Sequence, residues 1–237
     1  MTLAHNVDPV LAYDLEVTID AAGIDLLGRL RVPPQALGVV VIAHGSGSTR
    51  SDRRNVVLAQ ALASHRLASV AVDLLLPTEQ RDVDRIFDVR LLGSRLTAAR
   101  RWLWTTVCRD LPVGYFGLGS DAPVALWAAS EPHSRIEAVV VRGGRPDLAG
   151  ARLARITAPT LFLIGGGDRQ VLAHNRSAAA SMRCEHRVTD MSTPGRRATG
   201  SQLAQWESYL SAMWITEHLR PPGPAEPKTP RTSGRGD

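Results

Sequence analysis

One loop of the sequence has the setting of a catalytic serine without the serine itself. Gly117-Leu118-Gly119-Ser120-Asp121-Ala122 follows the apolar run VGYF and precedes a helix-like segment. A strand, a tight glycine turn and a helix in that order present the nucleophile of a G-x-S-x-G motif to an acyl substrate. Here the central position is Gly119, which accepts the strained turn without cost but has no attacking oxygen. Ser120, one residue later, is the remaining candidate nucleophile.

A second loop could supply the acid of a catalytic triad. Asp168 follows the apolar run TLFLI and three consecutive glycines. In Ser-His-Asp enzymes the acid orients the histidine that serves as general base, which makes Asp168 a candidate catalytic residue. An aspartate after glycines is also common as a helix N-cap, and this alternative stays open.

A third loop has the composition of a ligand-binding turn. The run VVVIA is followed by His44, Gly45 and Ser46, and then by two more small residues. Backbone N–H groups of such a loop can approach a ligand closely and form a concavity that favours anions. We therefore predict that these residues bind substrate together with Gly119. A flexible Gly/Ser loop without a ligand is an equally good interpretation.

Arginines at the end of the run AVVV indicate the charge of the ligand. Arg142 follows this run directly and Arg145 comes three residues later, and their guanidinium groups would favour an anionic ligand if they face the pocket. The alternative is solvation, or a salt bridge of the kind that Arg145 could form with Asp147.

The loops alternate with short apolar runs and longer segments of helical periodicity, which is typical of a mostly parallel sheet with helices on both faces. The runs predict eight strands, the first two forming an antiparallel hairpin at one edge. Ligands bind at the carboxyl ends of strands in such sheets, where all these loops fall. In the last helix, Trp206 and Trp214 belong to an apolar stripe that we assign to the core. The strands are expected at about residues 15–19, 25–32, 39–43, 69–73, 113–116, 138–141, 160–164 and 185–188.

Composition argues against several classes of function. Lys and Arg exceed Asp and Glu by 28 − 23 = 5, but they are scattered and do not form the basic stripe typical of nucleic-acid binding. No uncharged apolar run is long enough to span a bilayer, and the N-terminus does not read as a signal peptide. We expect a cytoplasmic protein that binds a small molecule, with no nucleic-acid or membrane partner.

The remaining composition predicts one domain without a metal or cofactor. Cys108 and Cys184 stand far apart and have no neighbours of metal-ligand type, which indicates two reduced thiols. Residues 1–220 are expected to form a single domain. Residues 221–237 are rich in Pro and Gly and nearly free of apolar side chains, which predicts a disordered tail.

Taken in order, these motifs resemble the dienelactone-hydrolase branch of the α/β-hydrolases, from about Val17 to the last helix. The resemblance implies an α/β-hydrolase fold with an eight-stranded, mostly parallel sheet, and hydrolysis of an ester or lactone by a Ser-His-Asp triad. The segments that carry it are HGSGSTRSDRRN from His44, DLLLP from Asp73, LPVGYFG from Leu111, VRGGRPDLAG from Val141, APTLFLIGGGD from Ala158 and HNR from His174.

The resemblance also implies where the triad should lie, and two of its three members are replaced. The family's elbow, approximately GYFGASTGAA, places its serine on Gly119 and its last glycine on Asp121. Its acid falls on Asp168, which is retained. Its histidine, in a segment like PGATHLF, falls on Pro194.

Three functions are compatible with these residues. The leading hypothesis is a catalytically impaired or inactive protein that keeps the pocket and uses it to bind a small molecule, which would be anionic if the arginines face the pocket, or to contact a partner. The second is an active ester or lactone hydrolase that uses Ser120 and Asp168 with a relocated histidine such as His44. The third is an NADP-binding protein, because the turn at Gly117 also fits G-x-G-x-x-A and Arg142 could contact a 2′-phosphate.

Overall fold

In a computed structural model of the chain, the described residues are 11–45, 53–165, 167–191 and 199–219. Within these ranges, eight strands form one sheet in the order β1-β2-β4-β3-β5-β6-β7-β8. β1 pairs with β2 and β2 with β4 in antiparallel orientation, and the other neighbours are parallel. The predicted sheet with an antiparallel edge hairpin is confirmed. The strands are β1 (Tyr13–Asp20), β2 (Asp25–Val32), β3 (Gly38–His44), β4 (Leu67–Asp73), β5 (Val113–Leu118), β6 (Ile136–Arg142), β7 (Thr160–Ile164) and β8 (His186–Asp190).

Six α-helices flank the sheet in the part of the chain that the structure describes. They are α1 (Arg53–Ser64), α2 (Val83–Ile86), α3 (Val89–Trp102), α4 (Ala122–Ala129), α5 (Arg169–Ala180) and α6 (Gly200–His218). Short 3-10 segments follow α3, β5 and β6. None of the helices in these ranges combines the length and apolar character needed to cross a bilayer. The predicted tail at 221–237 lies outside the described residues.

Strand β3 illustrates how the sheet is covered on both faces. All seven of its residues are buried, and successive side chains point to opposite faces. Val39 and Val41 pack in a core with helices α3 and α4, which we call the α3–α4 face. Val40 and Ile42 pack in a second core with helices α1 and α6, the α1–α6 face. Burial on both sides explains why the parallel strands appear as continuous apolar runs in the sequence.

The assignment of Trp206 to the core is wrong. Trp214 is buried, but Trp206 is 65% exposed. In helix α6, small residues such as Ser208, Ser211 and Ala212 are buried, whereas Trp206 is on the solvent side. The sequence pattern marked the larger apolar residues, whereas four of the seven buried residues of this helix are Ala or Ser.

Candidate active site

The tight turn after β5 has the geometry of a nucleophile elbow with glycine at its apex. β5 ends at Leu118, the chain forms a 3-10 turn over Gly119–Asp121, and α4 follows directly. Gly119 has φ +60°, a left-handed conformation that favours glycine. A Cβ placed on Gly119 would meet no heavy atom within 4 Å, so the space in front of the apex is open.

The segment after β6 packs directly against this apex. A Cβ on Gly144 would overlap the backbone of Gly119, including its carbonyl oxygen. Gly144 also has a positive φ of 69°. This close approach brings the start of the following 3-10 segment, Pro146–Arg155, to the side of the elbow.

A cavity of about 130 Å³ lies beside the elbow. One wall comes from α2 and the start of α3, a second from the elbow and α4, and a third from the segment after β6. Most of its lining is apolar, and its inner wall includes Leu92 and Val124, which belong to the core of the α3–α4 face. The lining residues are Ile86, Phe87, Val89, Leu92, Gly119, Ser120, Pro123, Val124, Gly144, Arg145 and Leu148.

The two catalytic residues predicted from the sequence occupy different surroundings. Ser120 is half-buried and lines the cavity. Asp168 is exposed and caps α5, where its Oδ1 accepts hydrogen bonds from the backbone N–H groups of Gln170 (2.9 Å) and Val171 (3.1 Å). The N-cap alternative that the sequence left open is therefore present in the structure.

The histidines near the site lie in separate places. His44, the relocated base of the second hypothesis, is the last residue of β3 and is buried. His174, on α5, has its Nδ1 3.8 Å from Oδ2 of Asp147. Ser46 and Pro194, the other predicted positions, lie outside the described residues.

Arg142 is held in an ion pair with a buried glutamate instead of lining the cavity. Its Nε lies 2.6 Å from Oε2 of Glu207 on α6. Arg142 pairs with Leu118 and Leu163 in the neighbouring strands, and both leucines pack in the core of the α1–α6 face. The inner wall of the cavity belongs to the α3–α4 face, on the other side of the sheet. Burial raises the pKa of Glu207, although the charge of Arg142 acts in the opposite direction.

Arg145 lies at the cavity but is already paired. Its Nε donates to Oδ1 of Asp147 at 2.9 Å, and its second guanidinium nitrogen donates to Oδ2 at 2.7 Å. These hydrogen bonds lower the pKa of Asp147. The salt bridge considered as an alternative in the sequence is the arrangement that the structure contains.

Asp121 is a buried acid to which the sequence gave no role. It is 1% exposed, and its Oδ1 accepts a hydrogen bond from the backbone N–H of Gly45 at 3.0 Å. Burial raises the pKa of Asp121 to about 7, against the opposing effect of this hydrogen bond. The sequence does show that Asp121 occupies a position where the related elbow has glycine. It does not show that the backbone N–H of Gly45, in the loop after β3, is the partner of this acid.

Comparison with known proteins decides the family. The chain is 35% identical to a dienelactone hydrolase from Anabaena variabilis, with a TM-score of 0.81 over 88% of this chain and 99% of that one. It belongs to the dienelactone hydrolase family. Two esterases share the fold at lower identity. The esterase domain from Rhodothermus marinus has a TM-score of 0.67 and 15% identity over 87% of this chain and 99% of that chain. The esterase from Pyrococcus furiosus has a TM-score of 0.63 and 15% identity over 87% of this chain and 91% of that chain. No protein-family model matches the chain.

Curated relatives of this dienelactone hydrolase family member are longer proteins. Proteins from two strains of Mycobacterium tuberculosis, each named "Putative phosphoribosyl transferase", are 42% identical over 226 residues. The match covers 92% of this chain and 49% of each relative. The chain therefore spans about half the length of the curated relatives it matches.

Membership of this family explains the glycine turn at Gly117 as an elbow, so a dinucleotide-binding role is not needed to explain it. The turn that also fits G-x-G-x-x-A is the elbow of the dienelactone hydrolase fold, and it continues into a 3-10 turn at Gly119. Arg142, the expected reader of a 2′-phosphate, contacts Glu207. In the described ranges no group of three or more His, Cys, Asp or Glu side chains is arranged to hold a metal ion.

Proposed function

We propose that this chain is a catalytically impaired or inactive member of the dienelactone hydrolase family that retains a ligand-binding cavity. The observation that carries the proposal is Gly119 at the apex of the elbow, with open space where a nucleophile's side chain would stand. A serine hydrolase needs an activated attacking oxygen at that point. The mycobacterial relatives' transferase name describes proteins about twice this length, whereas this chain, which matches about half of each, has a dienelactone hydrolase fold.

The surroundings of the elbow support the same conclusion. In α/β-hydrolases an N–H of the loop after β3 helps to stabilise the oxyanion of the tetrahedral intermediate. Here the N–H of Gly45 in that loop donates to the carboxyl group of Asp121. An ionised Asp121 would repel a developing oxyanion, because like charges in a buried site interact strongly. Loss of triad members in serine hydrolases costs about 10⁴- to 10⁶-fold in rate.

Incubation with short-chain nitrophenyl esters and a fluorophosphonate probe tests this proposal directly. We expect hydrolysis close to the uncatalysed rate and no labelling of any serine. Stoichiometric labelling at one serine, with matching ester turnover, would contradict it.

Restoring the missing groups gives a sharper test. The double variant Gly119→Ser with Pro194→His returns the two replaced triad residues, and the open space at Gly119 can accept a side chain. We expect ester hydrolysis to rise well above that of the wild type. The matched control is Gly119→Ala with Pro194→His, which has the same backbone strain at φ +60° but no hydroxyl. Equal activity in the two double variants would argue against loss of the nucleophile as the cause of inactivity.

A second candidate function is an active ester or lactone hydrolase that uses Ser120. It is favoured by the position of Ser120 in the lining of the cavity. A serine needs a general base, and the hypothesis assigns this role to a relocated histidine such as His44, with Asp168 as the acid. Substitution Ser120→Ala should then abolish turnover, and turnover that survives the change excludes this mechanism.

A further inference from the structure

We infer that the cavity beside Gly119 binds a single uncharged ring or a short branched alkyl group, in preference to a carboxylate. The inference rests on the proposed function only in taking this cavity as the ligand site. It differs from the expectation of an anionic ligand, which depended on Arg142 and Arg145 facing the pocket.

The size of the cavity suits a ligand with one ring. Its volume is about 130 Å³. An engineered apolar cavity of about 150 Å³ in another protein binds benzene, so this space is of single-ring size. The absent side chain at Gly119 contributes to the room, because nothing lies within 4 Å of a Cβ placed there.

The walls of the cavity favour apolar surface. Leu92 and Val124, each 1% exposed, form its inner side, while Phe87 and Leu148 line it at positions that are 65% and 54% exposed. Among the cavity's described lining residues, Ser120 is the only uncharged polar side chain. An ionised group placed against such walls loses its hydration without gaining a partner, which is unfavourable.

Among the described residues, the two arginines at and just after the end of β6 are already paired with carboxylates. Arg145 makes a two-point salt bridge with Asp147, and Arg142 is paired with Glu207 on the α1–α6 face. A carboxylate ligand would have to displace Asp147 from Arg145, or remain beside a carboxylate of the same sign. An uncharged ligand meets neither obstacle.

Binding of two ligands with the same ring tests the inference. Benzyl alcohol and benzoate differ mainly in charge, and their dissociation constants can be measured by NMR titration of the wild-type protein. We expect benzyl alcohol to bind about tenfold more tightly, a difference of about 1.4 kcal/mol. Equal or tighter binding of benzoate, or no binding of benzyl alcohol at millimolar concentration, would overturn the inference.

Two variants test whether the ligand occupies this cavity. Phe87→Ser removes apolar surface from the lining and should weaken benzyl alcohol binding several-fold, and Leu148→Trp should block the site. The control is Trp206→Ser on α6, because Trp206 is also 65% exposed but does not line the cavity. If the two cavity variants bind like the wild type, or the control loses as much affinity as they do, the location is wrong.

The outcomes distinguish this inference from the proposed function. An active esterase that prefers benzyl alcohol to benzoate would contradict the proposed inactivity and support the ligand class. An inactive protein that prefers benzoate would do the reverse.

Discussion

Glu207 and Asp121 are two of the buried carboxyl groups among the described residues, and they are stabilised in different ways. Glu207 packs on the α1–α6 face with the guanidinium of Arg142 at 2.6 Å. Asp121 lies at the elbow beside Leu92 of the α3–α4 face, and the hydrogen bond that it accepts there comes from the backbone N–H of Gly45. Burial raises the pKa of both groups, to about 7 in Asp121.

The two regions differ in how they accommodate a buried carboxyl group. On the α1–α6 face, a charge is matched by an opposite charge, so the pair forms part of the packing between helix and sheet. At the elbow, an acid has replaced the glycine of the related motif without an ion-pair partner in the contacts described for it. Uncompensated buried acids are a feature of functional sites, where stability is not the only requirement.

Removing Glu207 should have the largest effect on stability. Glu207→Ala leaves the partly buried guanidinium of Arg142 without its counter-ion, so we expect the free energy of unfolding to fall by at most about 3–5 kcal/mol. Urea denaturation measures this change. The matched control is the double variant Arg142→Met with Glu207→Leu, which removes both charges and should be close to the wild type or more stable. A small effect of Glu207→Ala would mean that the pair is not buried in solution.

Replacing Asp121 should change how stability depends on pH. Because its pKa in the folded protein, about 7, exceeds the ordinary value of 3.8, the native state keeps a proton that the unfolded chain has lost. The stability that Asp121 contributes is complete below about pH 4 and is lost as the pH rises to about 7.

The variant Asp121→Asn keeps a side-chain oxygen that can accept the hydrogen bond from Gly45. Because an amide does not ionise, the stability of this variant is not lost as the pH rises to about 7. We expect the variant to gain stability relative to the wild type between pH 4 and pH 8, by at most about 4 kcal/mol, since one pKa unit corresponds to about 1.4 kcal/mol. Unfolding measured across this range checks the prediction. A difference between the two proteins that does not vary with pH would show that Asp121 ionises normally.

Truncating Asp168 tests whether the retained acid has a structural role. Asp168→Ala removes the side chain that accepts from Gln170 and Val171, and an N-cap of this kind contributes about 1 kcal/mol. Asp168→Asn should restore most of the loss, because Asn caps helices as well as Asp does. Chemical denaturation of the two variants makes the comparison, and equal stability of Asp168→Ala and the wild type would count against the cap.

The smallest effect is expected at the exposed pair beside the cavity. Arg145→Gln should leave the unfolding midpoint nearly unchanged, because exposed ion pairs contribute little. The pKa of Asp147 should rise toward its ordinary range once the hydrogen bonds from Arg145 are lost. An NMR titration of the Asp147 carboxyl group follows this shift, and an unchanged pKa would mean that the two side chains do not pair in solution.

Local patterns in the sequence predicted most of the fold. Apolar runs such as VVVIA marked strands that are buried on both faces, and the glycine turn after VGYF marked the elbow. The pattern was misleading in α6, because Trp206 has the spacing of a core residue but is exposed, whereas the small side chains of Ser208 and Ser211 are buried.

The sequence by itself determined that the apex of the elbow is Gly119, because residue identity at one tight turn is local information. It also determined that an acid, Asp121, stands in that turn. Only the tertiary structure decided that Arg142 meets Glu207 and that Asp121 meets Gly45. The direction of a side chain at the end of a strand depends on which face it occupies and on which distant helix or loop packs there, and neither is encoded in neighbouring residues.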